Sequence, residues 1–212
     1  MKKYLYLLFI AACWQTIAQT NVEEKIVISD EEKLELGFDF ANEIELINWE
    51  KNEVVIKVSV TINDGEDDEI FELITRKHDG VVSVNLNLDN WKNQWSQNDC
   101  YHTSEINYTV YFPSSMKLEA KSISGNFTLK TLNGQAVVKT ISGDIDLTVP
   151  DGLDFNAKTI TGEIYSDLEI EYPFGREGLN QIVGMKVKGK VKNGSAYQNL
   201  ETISGNIYLR KG

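Results

Sequence analysis

The sequence predicts an all-β protein: a single-stranded β-helix, or β-solenoid-like stack of short strands, with coils of about 18–19 residues. Three observations predict it. Glycines 125, 134, 143, 152 and 162 fall nine or ten residues apart. The chain around them repeats itself: SISGNFTLK (122–130), TLNGQAVVK (131–139), TISGDIDLT (140–148), VPDGLDFNAK (149–158), TITGEIYSDL (159–168) and, after an irregular stretch, TISGNIYLR (202–210). Elsewhere apolar and polar residues alternate at the strand period, with no long amphipathic helical pattern to support a doubly wound or bundle fold.

Taken in order, the chain opens on a targeting segment. Met1-Lys2-Lys3 is a basic start and Tyr4 to Trp14 an apolar run too short to span a bilayer. Two processing patterns fit. Thr16-Ile17-Ala18 before Gln19 suits an ordinary signal peptidase, making residues 1–18 a signal peptide. Ile10-Ala11-Ala12-Cys13 resembles a lipobox, which would leave Cys13 as a lipid-bearing terminus and give the protein its one route to a membrane. Either pattern exports the chain, to the periplasm, the outer-membrane surface or the medium.

Cleavage after Ala18 removes Lys2 and Lys3, so 19 basic side chains face 32 acidic ones and the net charge is −13. That balance makes nucleic acid and anionic lipid surfaces poor partners, and no nucleic-acid partner is expected. Cys100 is then the one cysteine, no internal disulfide can form, and packing alone must hold the fold. Asn98-Asp99-Cys100-Tyr101-His102 has no nucleophile signature, and an adjacent acid does not lower a thiol pKa.

Residues 19–212 read as one domain with an irregular β-rich part (19–104) and a regular glycine-paced part (105–212). Strand patterns run through Leu34, Leu36, Phe38 and Phe40; Ile56, Val58, Val60 and Ile62; Val82, Val84, Leu86 and Leu88; and Ile106, Tyr108, Val110 and Phe112. Asn63-Asp64-Gly65, Asp79-Gly80 and Asp89-Asn90 punctuate them as turns. Asp67 to Lys77 fits a helix or a strand.

In the repeats, aliphatic residues stand two positions before each glycine and two and four after it. This places Ile123, Ile141 and Ile160 in one stack, and Phe127, Ile145 and Ile164 in another. A strand of about five residues spans about 15 Å, and successive coils pair at about 4.8 Å. Inward aliphatics then build a core that no single repeat could form. Each glycine permits the positive φ or the close approach that a corner demands. Ser124, Ser142, Thr161 and Ser204 stand beside the glycines, where hydroxyls can bond backbone or one another across coils. The segment 110–120 resembles 147–157, a shift of 37 residues. At the ends of the stack, the Trp-containing segment and the amino-terminal strands are candidate caps. Residues 171–200 break the beat, with a loop at 173–178 and a basic alternation of Lys186, Lys188, Lys190 and Lys192.

The TxSGxI units, the Tyr165-Ser-Asp-Leu168 step, the ending from Gly189 through Asn193-Gly194 to Leu200–Leu209, and Trp49-Glu-Lys-Asn-Glu-Val54 resemble the bacterial putative-adhesin family. That family is a β-strand-repeat domain of exported proteins in Bacteroidetes-type bacteria. The resemblance covers most of residues 25–210 and implies a β-helix-like fold at the envelope or surface. It carries no catalytic residues over.

No catalytic, cofactor or metal site is read from the residues. His78 and His102 lack ligand spacing, and the run Asp64, Glu66, Asp67, Asp68, Glu69 lacks the pattern of a calcium loop. No nucleophile elbow or phosphate loop occurs. Three functions are carried forward. The first is a non-enzymatic adhesin-like or scaffolding protein whose partner is an envelope or surface glycan or protein. The second is a carbohydrate-binding module in which Trp91, Trp95 and Tyr101, or Tyr165 and Tyr172, stack on sugars. The third is a polysaccharide-active β-helix enzyme, which needs two carboxylates about 5–10 Å apart; the acids at 144, 146, 151, 154, 163 and 167 are scattered.

Overall fold

The computed structural model describes residues 19–95, 103–130, 132–149, 152–173 and 184–212 except 193 and 195. Fifteen strands are present: β1 (Thr20–Val27), β2 (Lys33–Gly37), β3 (Phe40–Trp49), β4 (Glu53–Ile62), β5 (Leu73–His78), β6 (Val81–Leu86), β7 (Ser104–Pro113), β8 (Lys117–Lys130), β9 (Ala136–Ser142), β10 (Ile145–Val149), β11 (Leu153–Thr159), β12 (Ile164–Ser166), β13 (Met185–Val191), β14 (Tyr197–Ser204) and β15 (Ile207–Lys211). Among the described residues one α-helix, α1 (Leu88–Trp95), follows β6. The stretch left open between helix and strand resolves into a 3-10 turn, Asp68–Ile70, and then β5.

The strands form one mixed sheet folded on itself into two walls. The long strand β8 belongs to both. Its first part pairs with β2 and β9, and its second part, beyond Gly125, with β3 and β10. Wall one runs β5-β6-β2-β8-β9-β14-β11-β13, and wall two runs β1-β4-β7-β3-β8-β10-β15-β12. Inward residues lie in register from strand to strand. Leu36, Ala120, Val138, Leu200 and Ala157 make one row of wall one. Tyr108, Ile44, Phe127, Ile145, Ile207 and Ile164 make one row of wall two. Both rows join a single core cluster, which the alternation required, since neither wall could bury its apolar face alone.

The sheet is all-β as the periodicity required, but it is not a closed solenoid, and its strands do not stack in chain order. Ile145 and Ile164 do not touch as successive rungs, because Ile207 lies between them. The carboxy-terminal pair β14–β15 is inserted between β9–β10 and β11–β12, parallel to both. The reason is the sameness of the units. TISGNIYLR carries the same corner and the same inward aliphatics as TISGDIDLT, so it fits any level. The chain instead runs from β12 to β13, which pairs antiparallel with β11 at the end of wall one, and only then returns to the gap. The shift-of-37 similarity is real: β7 to β8 and β10 to β11 are the two equivalent crossings from wall two to wall one.

At the corner the repeat works differently from the sequence expectation in two ways. Ile123, Ile141, Ile160 and Ile203, two before their glycines, point outward and are 38–48% exposed. The preceding Ser122, Thr140, Thr159 and Thr202 point inward instead and are buried. Their hydroxyls donate to the neighbouring rung: Thr140 to the Gly125 carbonyl at 3.4 Å, Thr202 to Gly143 at 3.0 Å, Thr159 to Gly205 at 2.8 Å, and Ser122 to Phe38 at 2.7 Å. The narrow corner leaves room for a hydroxyl that reaches a carbonyl, not for a branched aliphatic. A Thr202→Val substitution keeps the shape and removes this bond. It is expected to cost about 1 kcal/mol of stability in urea unfolding.

The glycines themselves serve close approach and not positive φ. Positive φ among the described glycines occurs at Gly65, Gly80 and Gly184, none of them in the beat. A Cβ on Gly143 would lie 2.1 Å from the Gly125 carbonyl oxygen, on Gly205 2.0 Å from that of Gly143, and on Gly162 1.8 Å from that of Gly205.

Candidate functional site

The described apolar side chains of both walls pack into a single core cluster, and the candidate surfaces lie on the outer faces. The residue after each corner glycine knits the rungs together. Asp144 N–H donates to Asn126 Oδ1 at 3.0 Å, Asn206 N–H to Asp144 Oδ1 at 2.7 Å, and Glu163 N–H to Asn206 Oδ1 at 3.0 Å. Asp146 and Asp167 are similarly engaged. Arg210 Nε donates to both Asp146 oxygens at 2.9 and 2.7 Å, and Lys211 N–H donates to Asp167 at 2.8 Å. These carboxylates hold backbone and side chains in place, and each has a structural partner.

Further along wall two, Thr128, Asp146, Tyr208 and Tyr165 stand side by side on the outer face. Tyr165 stacks on Tyr208 at 5.3 Å between centroids and 11° between planes, and the Arg210 guanidinium lies 5.0 Å from the Tyr208 ring. Tyr165 is 47% exposed because β12 ends the wall and leaves one ring face uncovered. Its hydroxyl donates to Glu163 at 2.5 Å, a bond that raises the tyrosine pKa.

On wall one the outward rows are charged. Glu119 receives Lys121 at 2.6 Å and Lys33 at 2.7 Å, and these two ammonium groups lower its pKa to about 2. A carboxylate depressed in the folded state adds stability above its ordinary value of 4.5 and loses that contribution as the pH falls toward 2. Glu119→Gln is therefore expected to lower the unfolding midpoint at pH 7. The gap to the parent should close as pH drops from 4.5 to about 2. A gap constant over that range would rule the pairing out as its cause.

Next to that row, Ile123, Ile141, Ile203 and Ile160 form an apolar strip across four rungs at the corner. With Lys121, Lys139 and Lys158 beside it, the strip floors a groove of about 360 Å³. Lys139 pairs with Glu201 at 3.3 Å. Burial alone would raise the Glu201 pKa, but the Asn199 amide and Lys139 hold it below the ordinary value.

Of the predicted sugar-contact set Trp91, Trp95 and Tyr101, the side chain of Trp91 is the one described. Trp91 is 2% exposed and packs on Phe40 at 5.1 Å, so it belongs to the core and offers no ring face to a ligand. An apolar helix face laid against a sheet buries its largest ring, which the pattern in 88–95 did not reveal. The Trp95 side chain, Tyr101, Cys100, His102 and the 174–178 part of the loop expected at 173–178 lie outside the described residues. Of the acidic run, Asp68 is buried and accepts the Ile62 N–H at 2.7 Å, a structural use. Lys186, Lys188 and Lys190 lie on β13, the last strand of wall one, where charged side chains suit an edge. Sequence reasoning named Tyr165 but missed Tyr208, its stacking partner, because the two stand 43 residues apart and meet only through the inserted β15.

Among solved structures, a putative cell adhesion protein from Clostridium sporogenes superposes with a TM-score of 0.57 at 13% identity, covering 92% of this chain and all of that one. The two proteins share a fold. A putative adhesin from Parabacteroides distasonis has a TM-score of 0.41 at 15% identity, covering 69% of this chain and 57% of that one. A putative adhesin from Bacteroides fragilis has 0.29 at 8%, covering 92% and 99%. The name of the Clostridium sporogenes protein agrees with the family that the TxSGxI units resemble. No family model matches the chain. No curated protein matches it.

Proposed function

We propose that this chain is a non-enzymatic protein of the cell envelope or surface, adhesin-like or scaffolding, exported by its amino-terminal segment. The observation that supports it most is the fold shared over the whole of a putative cell adhesion protein. The chemistry of the walls points the same way. Asp144, Asp146 and Asp167 support neighbouring rungs instead of converging on a reacting centre. A register-locked sheet presents its outer faces as broad surfaces, which is what a docking scaffold needs. Cleavage after Ala18 would release the protein, and lipidation of Cys13 would tether it. Intact-mass measurement of the exported protein separates the two. Protease shaving of whole cells and fractionation tests the location. Recovery in the cytosol alone would refute the proposal.

A second reading, carbohydrate binding, moves from Trp91 to the Tyr165–Tyr208 pair. An uncovered ring face beside Asp146, Arg210 and Glu163 combines a stacking surface with groups that bond sugar hydroxyls. A glycan array compared for the parent and Tyr165→Ala tests it: hits that survive the substitution would exclude this platform.

A further inference from the structure

The apolar strip and the lysines at one end of it form a surface with two chemistries in a fixed order. Ile123, Ile141, Ile203 and Ile160 lie on adjacent rungs, so the strip runs three rung spacings, about 14 Å, across the strands. Four half-exposed isoleucines in a row are a costly use of surface for a chain of net charge −11 unless something covers them.

The charges beside the strip are not symmetric. At the Ile123 end, Lys121 is engaged by Glu119 and an acid, Asp39, lines the groove. In the middle, Lys139 and Glu201 neutralise each other. At the Ile160 end, Lys158 stands directly opposite Lys186 across the antiparallel β11–β13 ladder. Like charges in that position oppose sheet formation. Lys158 also faces Glu201 across the β11–β14 ladder, an acid already paired with Lys139, and among the described residues neither Lys158 nor Lys186 forms an ion pair of its own. Among the described residues Lys139, Lys158 and Lys186 share the Glu201 carboxylate here, which leaves this end of the groove with an excess of positive charge.

We propose that this groove binds a single-chain amphiphile with a carboxylate head, of the fatty-acid class. The head sits between Lys158 and Lys186, and the acyl chain lies along Ile160, Ile203, Ile141 and Ile123. An extended chain of about 12 carbons matches the 14 Å strip, and Asp39 at the far end disfavours the reverse orientation. The inference is separate from the adhesion reading, and either can fail without the other.

The test uses the intact chain with dodecanoate below its micellar concentration, followed by calorimetry and by displacement of an anionic naphthalene-sulfonate dye. Dodecanoate should bind at one site. Dodecyltrimethylammonium, with the same chain and opposite charge, should bind at least tenfold more weakly, as should hexanoate. The double variant Lys158→Glu/Lys186→Glu should weaken dodecanoate at least tenfold, and Ile141→Thr/Ile203→Thr at least fivefold. All four side chains avoid the core, so unfolding midpoints should stay near the parent's and show that the variants fold. Equal binding of the cationic amphiphile, or dodecanoate binding untouched by the isoleucine variants, overturns the proposal. So does a dimer in sedimentation velocity that the isoleucine variants dissociate, which would make the strip a contact between two copies of this chain.

Discussion

Gly205→Ala is expected to destabilise the protein by about 3 kcal/mol or more, well beyond a typical surface substitution. The added Cβ would lie 2.0 Å from the Gly143 carbonyl oxygen, a backbone atom that cannot rotate away. Relief requires parting β15 from β10, which breaks the ladder and pulls the Thr202 hydroxyl from its acceptor on Gly143. Gly80→Ala is the informative control. Gly80 has φ of 75° with nothing within 4 Å of a Cβ, so that change meets only backbone strain, about 1–2 kcal/mol. Urea unfolding of both variants reads the difference. Equal losses would show that the corner glycines act through backbone freedom after all.

Truncation after Ala196 is expected to abolish cooperative folding. The missing β14–β15 pair is internal to both walls, with a paired neighbour on each side. Leu200, Ile207 and Leu209 are at most 1% exposed, and burying three such side chains contributes about 5–9 kcal/mol, comparable to the whole net stability of a domain. The cut also leaves β9, β10, β11 and β12 with unpaired edges facing a gap, which invites aggregation. The truncated chain should give no sigmoidal thermal transition and should sediment as large species. A soluble monomer with a cooperative transition would mean that the rungs close up without the insert. Removal of β1 (Thr20–Val27), an end strand, should be milder by comparison.

Much of the wall structure was legible because it follows from local periodicity. Alternation placed Leu34, Ile56, Val82, Ile106, Phe127 and Ile145 inward, and all are buried. The corner was legible as a corner, but its chemistry was not. Thr-Ile-Ser-Gly contains one side chain that must face in, and hydrophobicity selects the isoleucine. The geometry of close-packed rungs selects the threonine, since the buried carbonyl of the neighbouring glycine needs a donor. The candidate sites were less legible still. Tyr165 and Tyr208, or Lys158 and Lys186, become neighbours only through strand pairings that no local pattern encodes.

By itself, then, the sequence determined the strand class, the inward alternation of the strands away from the corners, the position of the glycine corners and the likeness to adhesin-type chains, because each depends on residues within ten positions of one another. Only the tertiary structure decided the order of the rungs, the outward isoleucine strip and the paired lysines at its end. Repeats with the same corner and the same inward side chains pair equally well at any level, so local chemistry leaves their order degenerate. Here that order is set by β13 turning back along wall one and by the last strands filling the gap that it leaves.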